Sequence, residues 1–270
     1  MVENLNDLQI FVKRIEKEYG GRIAYRYLAD DSIIDKTFAE LANDIHAVAS
    51  WLVKNGYSGK HIAIIGSTSY PWVTTFLGIL CSANVVVPVD KMLSAKEMLN
   101  ILEMGDVDTV FVSEEFAHLS ESIRQSNSRI TKVICFADEC FEEILRTEEI
   151  SLPRIDPEAM AEILFTSGTT GTSKGVMLSQ NAFLSDLSSV IPYMDFGKKT
   201  VGVLPPHHTF GSSVMLIGHM MIGSEIYISG GLRYVAKELK EQEPEHLVIV
   251  PLYLETFYRR IMANLKEKKK

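Results

Sequence analysis

The chain has 270 residues, 46% of them hydrophobic and 23% charged, with a formal charge of −8. This predicts one large globular domain or two small ones. The acidic balance argues against a nucleic-acid-binding surface, and the short lysine-rich end does not reverse it.

Residues 6–18 place Leu8, Phe11, Val12 and Ile15 on one helical face, and Gly20-Gly21 ends that helix. Residues 23–28 alternate as a strand, followed by a turn at Asp30-Asp31-Ser32. Thr37-Phe38-Ala39-Glu40 is a capping box, and Gly56 closes the helix it opens. From there strand and helix alternate. Strands are predicted at 62–65, 85–89, 109–112 and 132–136. Helices run from a Ser67 or Ser69 cap to about 83, over 94–104 with a second capping box (Ser94, Glu97), and over 114–126. Trp72–Val89 is an uncharged run of 18 residues, the lower limit for a membrane span. Asn84, Pro88 and a valine cluster divide it, so a buried helix and a buried parallel strand are expected instead.

The polar segment 146–160, with Pro153 and Pro157, predicts a seam. It separates a first α/β subdomain, 1–150, from a second and incomplete one, 151–270. Beyond it, helices are expected at 180–190, 212–222, 232–241 and 252–266, and strands at 200–204, 225–228 and 247–250. The alternation predicts an α/β fold of largely parallel sheets flanked by helices. No basic segment followed by an apolar core opens the chain, so no secretory signal is expected. Cys81, Cys135 and Cys140 form an odd, unpatterned set that fits buried thiols in a reducing compartment. The expected location is cytoplasmic, with peripheral membrane contact left open.

Thr166 to Gly175 has a composition found nowhere else in the chain: three glycines, six hydroxyl residues and one lysine, between two apolar runs. Small residues let backbone N–H groups approach an anion; hydroxyls add donors, and Lys174 adds a point charge. These are the parts of a phosphate cradle. Walker A spacing fails because Ser173 stands where the second glycine belongs, and G-x-G-x-x-G fails as well. A plain hairpin turn would be shorter.

This stretch resembles the phosphate loop of the AMP-forming adenylating enzymes, the acyl-CoA synthetase and luciferase-like superfamily, whose usual form is T-S-G-[ST]-T-G-x-P-K-G. Ser173 replaces the usual proline, losing a fixed φ but no ligand-binding group. Leu204-Pro205-Pro206-His207-His208-Thr209-Phe210-Gly211 is similar to the family's L-P-x-x-H-x-F-G element, which borders the acyl pocket. Pro88-Val89-Asp90-Lys91 and Gly231-Leu232-Arg233-Tyr234 extend the likeness, closest to the long-chain fatty acyl-CoA ligases.

The resemblance implies the N-terminal part of that family's large domain. It implies ATP-dependent formation of an acyl-adenylate and transfer to coenzyme A, on a small-molecule carboxylate, here a medium- or long-chain fatty acid. Thr166, Ser167, Gly168, Thr169, Thr170, Gly171 and Lys174 would hold ATP phosphates, with Lys174 catalytic. Mg2+ would share the charge, with Thr166 its ligand from this chain. His208, Phe210 and Gly211 would border the substrate, and His207 receives no role. The family's Y-G-x-T-E element, ribose aspartate, hinge and small C-terminal domain cannot be placed before Lys270. A truncated, inactive fragment is therefore expected. An acyl-carrier-protein ligase or peptide-synthetase adenylation domain is the alternative within the family. A non-catalytic nucleotide-phosphate-binding or interaction module is the alternative outside it.

Overall fold

The computed structural model describes residues 5–167 and 173–267. Helix α1 (Leu8–Tyr19) starts where the Asp7 carboxylate accepts from Ile10 N, and it buries Leu8, Phe11, Val12 and Ile15. Strands β1 (Ile23–Ala29) and β2 (Ser32–Thr37) form an antiparallel hairpin. Asp30 and Asp31 turn it at φ 45° and 60°, a region these short polar residues tolerate. The sequence predicts the turn but not β2, whose polar, half-exposed residues are those of an edge strand. The expected Thr37–Glu40 capping box is present at the start of α2 (Phe38–Lys54).

Ser69, rather than Ser67, caps α3 (Tyr70–Cys81). Gly78 lets α3 lie close to α2, since a Cβ there would stand 2.5 Å from Val48 Cγ1. The uncharged run Trp72–Val89 becomes α3 and β4 (Val85–Val89), both buried. No described helix is long and apolar enough to cross a membrane.

Six strands form the larger sheet, in the order β6-β5-β3-β4-β7-β8. Here β3 is His61–Ile65, β5 Thr109–Val112, β6 Lys132–Cys135, β7 Met160–Ser167 and β8 Ser173–Ser179. All neighbours are parallel except β7 and β8. The smaller sheet runs β2-β1-β10-β9, with β9 Lys199–Gly202 and β10 Glu225–Ile228. There β1, β10 and β9 are parallel. The α/β class with largely parallel sheets is thus present. Each sheet takes strands from both sides of residue 150, so the 146–160 seam does not divide one sheet from the other.

The helices are α4 (Ala95–Met104), α5 (Ser120–Ser126), α6 (Glu139–Leu145), α7 (Gln180–Val190), α8 (His219–Met221), α9 (Val235–Gln242) and α10 (Pro251–Glu267). Three differ from expectation. The 114–126 helix opens as a 3-10 turn over Glu114–Leu119, α6 was not predicted, and 212–222 is largely a π-helix over Gly211–Gly218. The predicted strand at 247–250 is also absent. His246, just before it, makes one isolated bridge to Thr200 of β9, and residues 247–250 pair with no strand among the described residues.

Period-2 alternation along the larger sheet separates two cores. Ile62, Ile64, Val86 and Phe111 face α1–α3 and residues 214–221. Ala63, Ile65, Val87 and Val110 face α4 and Ile123. Each fully buried aliphatic side chain contributes about 1.5–3 kcal/mol. Buried Gln180 ties helices together, accepting from Leu8 N and donating to the Leu80 carbonyl, both at 2.8 Å.

Candidate active site

Parallel strands deliver their following loops to one edge, and ligands of open α/β sheets bind outside those carboxyl ends. The larger sheet sends β7 into the glycine- and hydroxyl-rich loop there. Antiparallel register sets Thr166 opposite Lys174 and Ser167 opposite Ser173. Lys174 and Thr166 therefore flank the loop on facing strands, and both are exposed. Gly168, Thr169, Thr170 and Gly171 lie outside the described residues. Gly175 stands opposite Phe165; a Cβ there would come 3.1 Å from Ile163 Cγ2.

The smaller sheet delivers the second predicted element. After β9 the chain turns through Pro205–Gly211, where the His208 carbonyl accepts from Gly211 N at 2.8 Å and Ser212 N at 3.0 Å. Gly211 is required: a Cβ would fall 2.1 Å from the Pro205 carbonyl oxygen. His208 and Phe210 are exposed, while Gly211 is buried.

His207, given no role from sequence, joins the two sheets. Its Nε2 lies 3.4 Å from Asp90 Oδ1, just past the end of β4. Met92 N donates to the same carboxylate oxygen at 2.8 Å. Burial pushes the His207 imidazole down to about 4; Asp90 opposes this, and His208 and Lys91 reinforce it. The ring is therefore neutral near pH 7. Beside it, Lys91 Nζ donates to Ser67 Oγ at 2.6 Å, and Ser67 donates to Glu115 Oε1 through both its hydroxyl and its backbone N–H. This network joins the ends of β3, β4 and β5.

Glu162 was also missed. It sits mid-strand on β7 and is 0% exposed, and neither carboxylate oxygen has a hydrogen-bond partner among the described residues. Its signal in the sequence is a charge inside the apolar run Ala161–Phe165.

Among the described residues, no group of three or more His, Cys, Asp or Glu could hold a metal ion. The Thr166 hydroxyl is the hard oxygen donor magnesium accepts, and magnesium usually completes its shell with waters and substrate phosphates. The donor set fits a phosphate-borne magnesium rather than a protein-caged one.

A two-sheet α/β fold with such a loop at its carboxyl edge defines a class of proteins that handle ligands in the crevice beyond the strand ends. Within that class, the chain belongs to the AMP-binding enzyme family, whose sequence model matches residues 12–270. It is 25% identical over 281 residues to a chloroplastic long-chain-fatty-acid–[acyl-carrier-protein] ligase of Arabidopsis thaliana, covering 92% of this chain and 38% of that protein. It is 23% identical over 268 residues to a long-chain-fatty-acid–CoA ligase of Mycobacterium bovis, covering 92% and 44%. Its fold matches the inhibitor-bound N-terminal domain of FACL13 from Mycobacterium tuberculosis with a TM-score of 0.81, at 22% identity, over 93% of this chain and 64% of that one. The chain thus spans about two fifths of the length of the curated relatives it matches.

Proposed function

We propose that the polypeptide carrying this chain activates a fatty acid as its acyl-adenylate and passes the acyl group to the thiol of coenzyme A. The observation that carries this reading is the Thr166–Gly175 stretch, set on a hairpin at the carboxyl edge with Lys174 facing Thr166. Fatty-acid ligases among the relatives support the substrate class.

In this reading, the carboxylate attacks the α-phosphorus of ATP, and the bond to the bridging oxygen of pyrophosphate breaks. Charge builds on the departing phosphates, so fixed donors and a cation there lower the barrier. Lys174 follows the β- and γ-phosphates, and hydroxyls and N–H groups of 166–171 cradle them. Magnesium, held with Thr166, supplies charge neutralisation when bound. His208, Phe210 and Gly211 border the acyl group, and the His207–Asp90 contact orients their loop.

Acid-dependent ATP–pyrophosphate exchange, run on the longest natural form of the polypeptide with fatty acids of graded length, tests this. Exchange that rises with a medium or long acid is expected. Nucleotide binding with no acid-dependent exchange would instead establish a binding module. A carrier-protein acceptor is the second reading, favoured by the Arabidopsis relative. Transfer assays with coenzyme A and acyl carrier protein separate the two.

A further inference from the structure

A cavity of about 440 Å³ lies where the carboxyl ends of β1 and β10 in the smaller sheet meet the start of α3 and the flank of α9. That volume is in the range of small-molecule pockets, and open α/β sheets take ligands beyond such strand ends. None of its lining residues belongs to the phosphate-loop hairpin or to the loop that carries His208. Aromatic rings dominate the lining. Tyr27 and Tyr70 stack with centroids 5.6 Å apart and planes 13° apart. Tyr234, half-exposed just before α9, also lines the cavity, and no ring contact joins it to either of them. Leu28, Pro71 and Ile228 add aliphatic surface. Such walls suit a flat ring, which gains most by stacking on other rings.

The charges of the lining are already engaged. Lys237 Nζ lies 3.6 Å from Glu241 Oε1. The Glu238 carboxylate accepts from Ser229 Oγ and from Gly230 N, which ties α9 to the end of β10 and holds that wall in place before any ligand arrives. No unpaired charge is left to offset the desolvation of an ionic ligand. The hydroxyls are less fully used. Ser69 accepts from Trp72 N and Tyr70 donates to Asp44, while those of Thr68 and Tyr27 bond no other described residue.

We propose that this cavity binds an uncharged, hydroxylated aromatic compound. Its ring packs between the Tyr27–Tyr70 stack and Tyr234, and its hydroxyl bonds to that of Thr68. The occupant differs in kind from an acyl substrate, which enters adenylation as a carboxylate, so the site does not rest on the adenylation reading.

Titration of this chain with naphthol, followed through its backbone amides by NMR, tests the proposal without any need for activity. Saturable shifts are expected at residues 27–29, 68–70 and 229–234, with a dissociation constant of about 0.1–1 mM, which suits a ligand of that size. Naphthoate and naphthylmethylammonium carry the same ring with a negative and a positive charge. Each should bind at least about tenfold more weakly, because neither finds a free counter-charge. Tyr234→Ala should weaken naphthol about tenfold, while Tyr234→Phe keeps the ring and should stay within about twofold of wild type. Thr68→Val keeps the shape, loses the hydroxyl and should weaken naphthol about fivefold. No saturable shift at these amides, shifts centred elsewhere, a charged analogue that binds as tightly as naphthol, or unchanged affinity in Tyr234→Ala would overturn the proposal. If Tyr234→Ala does not fold, the charge series on the wild-type chain decides the same point. The adenylation reading stands or falls separately, on pyrophosphate exchange.

Discussion

His207 Nε2 lies 3.4 Å from Asp90 Oδ1, and this contact binds the loop after β9 in the smaller sheet to the end of β4 in the larger one. Removing the carboxylate takes away the contact with His207 and leaves Met92 N without its acceptor. Asp90→Ala should cost about 1–3 kcal/mol. Denaturant unfolding would show the loss as a lower midpoint, and hydrogen exchange across 205–211 would rise.

Acid should weaken the fold through its buried histidines. His207 and His219 are both pushed down to about 4 from 6.5, in each case mainly by burial. The unfolded chain takes up these protons below pH 6.5, while the folded chain resists until about 4. The stability they confer is complete above the unfolded value and is lost as pH falls through this window. Each contributes on the order of 3 kcal/mol at most. Unfolding free energy measured from pH 7.5 to 4 should fall less steeply in His207→Gln than in wild type.

The tautomers of a second pair are fixed by their neighbours. His219 Nδ1 lies 2.9 Å from the Val214 carbonyl, so it carries a proton. His246 Nδ1 accepts from Gly197 N at 3.1 Å, so it carries none. The two Nε2 atoms are 2.8 Å apart, which makes His246 the donor and His219 the acceptor. Long-range proton–nitrogen NMR at neutral pH should find His219 in the Nδ1–H form and His246 in the Nε2–H form. His246→Phe keeps a ring against Phe196 but leaves His219 Nε2 bare, and should cost about 1–3 kcal/mol.

Lys174 is exposed, so its loss should spare the fold. Lys174→Ala is expected to change stability by no more than about 0.5 kcal/mol. If the proposed chemistry holds, it should slow acid-dependent pyrophosphate exchange by the polypeptide that carries this chain about 10²–10³-fold, the usual effect of removing one charge-stabilising donor. An unchanged rate would take Lys174 out of the proposed chemistry.

Gly211→Ala tests the loop by crowding. The new methyl would collide with the Pro205 carbonyl oxygen, and the backbone must move to relieve it. A cost of about 1–3 kcal/mol is expected. The shift would displace His208, so pyrophosphate exchange should fall while the Lys174 hairpin keeps its protection from hydrogen exchange.

Local chemistry was legible in the sequence, and long-range pairing was not. The Thr37–Glu40 and Ser94–Glu97 boxes could be read because each cap satisfies N–H groups only three residues away. Nothing local says that Tyr25 will face Ile226, or that both sheets will cross residue 150. The phosphate-type loop announced itself by composition. His207 did not, because its meaning lies in Asp90, 117 residues earlier in the chain. Reading 247–250 as a strand followed its apolar run, which cannot say whether a partner strand is present.

The pairing of β1 with β10 also governs how the chain is made. Tyr25 must wait for Ile226, which leaves the ribosome roughly 200 residues later. At about 5–20 residues per second, that delay is about 10–40 s. During it, the β1–β2 hairpin presents an open β1 edge, a template for pairing with other nascent chains. Synthesis itself thus creates a window in which a holding chaperone, or slower elongation after β2, would decide the yield of native protein.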